Sequence, residues 1–188
     1  MKKIGFAVTG SFCTFSSILD AVDELVEHGY DLTPIFSFNT ANLDTRFFKA
    51  SEFFEIMTRK TGKKPLTTIP EAEPIGTSLG LDLVLVAPCT GNTLSKIAHG
   101  ITDTPVTMAV KAQLRNCRPV VLSVSSNDAL GANAKNLGLL LNTRNVYFVP
   151  FAQDAPYKKS NSLIADTSLI RAACEEALSG KQLQPLLL

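Results

Sequence analysis

The sequence is poor in the residues that metal and covalent chemistry usually need. It holds two histidines, His28 and His99, and four cysteines, Cys13, Cys89, Cys117 and Cys174, set far apart. No C-x-x-C pair occurs, which excludes the common zinc spacings and leaves no disulfide framework. Excess charge is also missing: 18 Lys and Arg against 17 Asp and Glu give a formal net charge of +1. A nucleic-acid binder would show a basic face, so that class is excluded. No apolar run approaches the roughly 18 residues that span a bilayer. Met1-Lys2-Lys3 has the charge of a secretory signal, but the apolar stretch Ile4 to Val8 is broken at once by Thr9-Gly10-Ser11, too soon for the apolar region of such a signal. Thr9 to Thr14 lacks G-x-G-x-x-G spacing, no Lys follows a Gly-rich turn, and no G-x-S-x-G elbow occurs. No repeat, low-complexity segment or linker is visible. The expectation is a soluble, cytoplasmic, metal-free domain spanning residues 1–188.

What is present suits a packed core: 188 residues, 45% hydrophobic and 19% charged, long enough for one domain. Apolar runs of strand length alternate with helical patterns. Lys3–Val8 reads as a buried strand ending in a turn. From Phe15, the positions Ile18, Leu19, Val22, Leu25 and Val26 form one helical face, with Ser17 and Asp20 resembling a capping box and Gly29 a stop. Residues 31–37 read as a second strand, placed at an edge by Pro34. Residues 46–60 carry Phe47, Phe48, Phe53, Phe54 and Met57 at near-helical spacing, and residues 62–80 read as a connecting loop. Asp82–Pro88 is the clearest strand. Helices are predicted over about 92–99 and after Pro105. A strand over Pro119–Ser123, a helix over 129–141, a strand over Val146–Val149 and a last helix from Leu169 to Leu178 complete the pattern. Five strands, each followed by a helix, predict an α/β Rossmann-like three-layer sandwich with a central parallel sheet.

In such a sheet, ligands bind beyond the carboxyl ends of the strands. Four of those ends are rich in small polar residues: Thr9-Gly10-Ser11, Ser37 to Thr40, Thr90-Gly91-Asn92-Thr93, and Ser123 to Asp128. Gly permits close approach, hydroxyls and amides donate, and a following helix start favours an anion. Together they predict a cradle for a phosphate and a flat heterocycle; ordinary turn chemistry is the alternative. His28 and His99 each precede a Gly at a helix end and read as caps. Cys13 is either a small filler or a ligand-facing thiol with a lowered pKa. The other three cysteines lie in or beside core patterns. The Phe stripe and the greasy tail Leu183 to Leu188 point to a buried contact between copies. Lys158-Lys159 reads as a solvated loop, with contact to an acidic substrate as the alternative.

At Ala87-Pro88-Cys89-Thr90-Gly91-Asn92-Thr93 through Lys96-Ile97-Ala98, Gly100-Ile101 and Asp103, the chain resembles the flavoprotein family of cysteine decarboxylases and flavin prenyltransferases. The resemblance runs from the first strand to the fifth. It implies an FMN site at Thr9, Gly10, Ser11, Ser37, Thr90, Gly91, Asn92, Thr93 and Ser125, built at a trimer contact. Further on, Asn127-Asp128-Ala129-Leu130-Gly131, Asn133-Ala134-Lys135-Asn136-Leu137-Gly138 and Tyr147-Phe148-Val149-Pro150-Phe151 are similar to members that work beside a separate protein, the A component of a two-component synthase. That branch forms a pyridine dicarboxylate from a dihydropyridine precursor in the mother cell of spore-forming bacteria. The similarity implies an oxidoreductase component, with Asn127, Asn133 and Lys135 near the substrate carboxylates; the alternatives are an FMN-dependent decarboxylase or flavin prenyltransferase, or a non-catalytic scaffold for the A component. NADP, if used, is expected on the A component, since no dinucleotide motif occurs here. No residue stands out as a general base. Residues 41–87 contain no His, unlike the cysteine decarboxylases, and the P-x-M-N-x-x-M-W clamp is replaced by residues 125–136. Ser125 to Asp128 stand where prenyltransferases place Arg-Glu, and Met108 stands where many relatives carry Arg. Losing these cations removes charge stabilisation for a leaving diphosphate, which speaks against prenyl transfer.

Overall fold

The computed structural model of the protein describes all 188 residues. Five parallel strands form its centre: β1 (Lys3–Val8), β2 (Asp31–Phe36), β3 (Leu83–Cys89), β4 (Val120–Ser126) and β5 (Val146–Phe148). Their spatial order is 2-1-3-4-5. All seven residues of β3 are buried, as a strand covered on both faces requires. β2 lies at the edge where Pro34 placed it, and Leu66 covers part of that edge by accepting from the Phe36 N–H at 2.8 Å and donating to the Pro34 carbonyl at 2.9 Å.

Two helix groups cover opposite faces. α1 (Phe15–Glu27) packs with α3 (Ala50–Thr61) and α8 (Ile170–Leu178); α5 (Gly91–Ala98), α6 (Pro105–Arg115) and α7 (Ala134–Leu141) line the other side. The short α2 (Phe38–Asn42) follows β2, and α4 (Ile69–Ala72) joins the α6 side. Gly29 takes φ 80° just past α1, the left-handed stop that glycine allows. The predicted Ser17 capping box does not form, because the helix begins at Phe15 and Ser17 Oγ donates back to the Thr14 carbonyl at 2.9 Å. Both histidines are helix caps: the ring Nδ1 of His28 lies 2.8 Å from the Glu24 carbonyl, and that of His99 lies 2.9 Å from the Ser95 carbonyl.

Several expectations change. Residues 62–80 are not a plain loop, since a Thr68/Glu71 capping box starts α4; the signal Thr68-Ile69-Pro70-Glu71 is in the sequence. The helix expected from Ala129 starts only at Ala134. Asp128 and Asn133 bind each other through their side chains at 2.8 Å, and such local bonds compete with helix. β4 runs three residues further than predicted because Ser125 and Ser126 pair antiparallel with β7 (Leu163–Ala165), which in turn pairs with β6 (Phe151–Ala152).

The Phe stripe is chiefly internal. Phe53 is buried and stacks on Phe15 at 4.3 Å and Phe36 at 5.3 Å, with Phe48 edge-on at 5.6 Å. Only Phe47 among these is exposed, and it precedes α3. The leucine-rich tail is likewise held by its own chain. Phe151 donates to the Leu186 carbonyl at 3.0 Å and accepts from the Leu188 N–H at 3.1 Å.

Candidate functional site

A parallel sheet of order 2-1-3-4-5 opens a crevice where its winding reverses, between β1 and β3. One hydroxyl ties these two strand ends together. Thr9 Oγ1 donates to the Pro88 carbonyl at 2.7 Å and accepts from the Thr90 N–H at 3.0 Å. Thr9 is buried and its proton is consumed, so it shapes the crevice instead of gripping a phosphate, a correction to its expected role.

The remaining tips vary in what they leave free. Gly10 is half-buried, and its N–H meets no acceptor in the chain. Ser11 Oγ lies 2.7 Å from Ser125 Oγ, joining the β1 and β4 tips. Ser37 caps α2, accepting from the Thr40 N–H at 3.2 Å and bonding Thr40 Oγ1 at 2.9 Å; Thr40 Oγ1 donates onward to the Val8 carbonyl. Ser37 therefore has no free proton. Thr90 caps α5 by accepting from the Thr93 N–H at 3.3 Å, and its hydroxyl donates to Thr93 Oγ1 at 3.1 Å. The Thr93 proton stays available. Asn92 is exposed with an unengaged side chain, and the N–H groups of Gly91 and Asn92 have no acceptor in the chain, as the first turn of a helix dictates.

Over that turn lies a hydrogen-bonded group in which Asn133, expected near a substrate, is instead joined to Asp128. Asp128 accepts from Ser126 Oγ at 2.5 Å and from Asn133 Nδ2 at 2.8 Å, and Asn133 Oδ1 accepts from Asn136 Nδ2 at 2.9 Å. A Cβ on Gly91 would stand 2.5 Å from Ser126 Oγ, 2.7 Å from Asp128 Oδ1 and 2.8 Å from Asn133 Nδ2. Any side chain there would have to push this hydrogen-bonded group aside. Asn133 is 8% exposed and holds Asp128, so it does not face a substrate as expected. Lys135 is exposed on α7 and lines no part of the recess described next.

A recess of about 100 Å³ sits between the β1 and β4 tips and the β6–β7 hairpin. Ser11, Ser125, Ser126, Asn127, Ser162 and Lys159 line it, with Cys13 and Asp154. It adjoins a shallow depression of about 370 Å³ that shares Asn127 and Lys159. Cys13 is exposed here, 3.9 Å from Ser11 Oγ, and is no core filler. Cys89 is buried, its thiol pushed up to about 12 by desolvation, and Cys174 is buried too, while Cys117 is exposed past α6. Lys159 Nζ pairs with Asp154 Oδ2 at 3.0 Å. The Ser162 hydroxyl beside it, and then Lys159, hold the Asp154 carboxyl below its usual range. Asp154 Oδ1 is buried without a well-formed donor, and Ser162 Oγ is directed to Asn127 Oδ1 by a long bond of 3.4 Å. A larger cleft of about 460 Å³ between α4 and α6 contains Met108, Lys111 and Arg115 but no strand-tip residue.

The N–H groups of Gly10, Gly91 and Asn92, the Thr93 hydroxyl and the Asn92 amide are neutral donors without a partner acceptor, suited to the polar edge of a flavin; the Asp128 carboxylate over the α5 start disfavours a phosphate at that turn. At about 100 Å³ the recess is too small for a tricyclic ring.

A flavoprotein family profile matches residues 1–166. The chain is 46% identical over 186 residues to the B subunit of dipicolinate synthase from Bacillus subtilis (strain 168), covering 99% of this chain and 93% of the relative. The crystal structure of the dipicolinate synthase B subunit from Bacillus halodurans C superposes with a TM-score of 0.92 at 42% identity, over 100% of this chain and 96% of that one. A dodecameric FMN-dependent UbiX-like decarboxylase from Escherichia coli O157:H7 shares the fold at TM-score 0.62 and 22% identity, over 79% of each chain. With most of its length matched by the profile and nearly all of it by a relative at this identity, the chain belongs to the flavoprotein family.

Proposed function

We propose that this chain is the B component of a two-component dipicolinate synthase. In this reading it acts with the A component to oxidise a dihydropyridine dicarboxylate to pyridine-2,6-dicarboxylate during sporulation, in the mother-cell cytoplasm. The observation that carries the reading is end-to-end kinship, 46% identity over 99% of the chain. The strand tips support it with a recess sized for one planar ring and edged by hydroxyls, an amide and a lysine.

The reaction removes two hydrogens, as a hydride equivalent and a proton, and aromaticity of the product supplies the driving force. A flavin, when bound, supplies a two-electron acceptor. Gly10, Gly91, Asn92 and Thr93 are the residues we assign to hold it, with Ser11 and Ser125 fixing the wall between cradle and recess. A nicotinamide acceptor, if used, belongs on the A component. The chain itself contributes orientation: it holds a flat dianion edge-on to the tips and lowers the entropy cost of bringing it to the acceptor. No His, Glu or Tyr lines the recess, and its one carboxylate is Asp154, paired with Lys159 at 3.0 Å. The open crevice also favours completion by a second surface, either another copy or the A component.

The test is reconstitution. The A component, this chain and the two together are assayed for dipicolinate by its ultraviolet absorbance, with the visible spectrum of the complex recorded with and without added FMN. Formation that requires both chains is expected. Full-rate formation by the A component alone refutes the reading, and decarboxylation of a cysteine peptide by this chain alone replaces it.

A further inference from the structure

Lys159 is the one cation lining the recess, and it lies on the β6–β7 connection, far in sequence from the tips it faces. Its partner Asp154 is on the same connection, and the pair is open to water, with 53% and 30% of the two side chains exposed. A pair this exposed is weak and readily exchanged. Beside it stand two neutral donors suited to carboxylate oxygens: the Ser162 hydroxyl, whose bond to Asn127 is long at 3.4 Å, and the exposed Asn127 side-chain N–H; the Ser126 hydroxyl is spent on Asp128. The recess and its adjoining depression meet at Asn127 and Lys159, so a planar ring entering the recess carries its charged edge past the ammonium.

We propose that Lys159, on the β6–β7 hairpin, binds a carboxylate of a planar single-ring dicarboxylate in the recess between the β1 and β4 tips, exchanging Asp154 for the ligand. The assignment rests on the dicarboxylate reading above. It replaces Lys135, which is turned to solvent on α7. Asp154 is the positioning residue: it keeps the ammonium at the mouth of the recess while no ligand is present.

Calorimetric titration of pyridine-2,6-dicarboxylate into the purified full chain tests this, using wild type, Lys159→Gln and Lys135→Gln at two ionic strengths. Wild type and Lys135→Gln are expected to bind alike, with affinity falling as salt rises. Lys159→Gln is expected to bind at least tenfold more weakly and with a flatter salt dependence, while its thermal midpoint stays near wild type. Wild-type affinity in Lys159→Gln, an equal loss in Lys135→Gln, or no binding by the wild-type chain overturns the assignment. Failure of the wider reading has another signature: Lys159-dependent binding persists, yet the A component forms dipicolinate equally well without this chain.

Discussion

Thr9 carries two strand ends on one oxygen, so its hydroxyl matters more than its size. Thr9→Val keeps the shape and strands the Pro88 carbonyl and the Thr90 N–H, both bonded at 3.0 Å or less. An unsatisfied buried group costs about 1–3 kcal/mol, so two of them give an expected loss of about 2–6 kcal/mol in urea denaturation. Thr9→Ser keeps both bonds and loses one methyl, about 1 kcal/mol. Equal losses in the two variants would contradict the bridging role. Gly91 and Asp128 show the same limit on reading residues one at a time. A glycine before a helix is legible as permissive, but the need for it here comes from Ser126, Asp128 and Asn133, brought over it by a separate strand.

Elements separate the Phe stripe into two kinds of residue. Phe53 fills the space between α1, α3 and β2, whereas Phe47 lies outside α3 with 45% of its surface exposed. Phe53→Ala is expected to destabilise by about 3–5 kcal/mol, because the transfer loss and the cavity add. Phe47→Ala is expected to cost about 1 kcal/mol or less, the worth of its exposed contact with the Arg46 guanidinium 4.8 Å from the ring centre. Chemical denaturation of both variants checks this, and a large loss at Phe47 would restore the idea of a contact between copies there. Spacing alone did not make this distinction, since residues 46–60 look helical throughout, while the helix starts at Ala50. The α5 start was legible to within a residue, though Thr90, expected to hold a flavin, caps the helix instead. The β6–β7 hairpin was not: strands of two and three residues fall below any period that a pattern can show.

For the molecule as a whole, pH acts through groups whose ionisation the fold shifts. Glu71 is held below its usual range by the Thr67 N–H, Asp103 by Lys96, and Asp154 by Ser162 and then Lys159. A depressed carboxyl contributes stability above its unfolded pKa, about 4, and loses it as pH falls through the folded value. Burial raises the thiols of Cys89 and Cys174, and that contribution is complete below the unfolded thiol pKa of about 8.5 and is lost on going above it. The urea midpoint is therefore expected to be flat between about pH 5 and 8 and to fall on both sides. A fall that begins between about pH 5 and 7 would mean that another group controls stability. No helix of the chain is long and apolar enough to cross a membrane.

Local pattern determined the parallel strands, most helix starts, both histidine caps and the small polar residues at the tips, because periodicity, capping and turn chemistry act within a few residues. The order 2-1-3-4-5, the antiparallel hairpin beyond β4 and the meeting of Lys159 with Ser11 and Ser125 were decided by tertiary structure alone. Those contacts join residues far apart in the chain, and only burial of both sheet faces by the helices selects which distant ends come together.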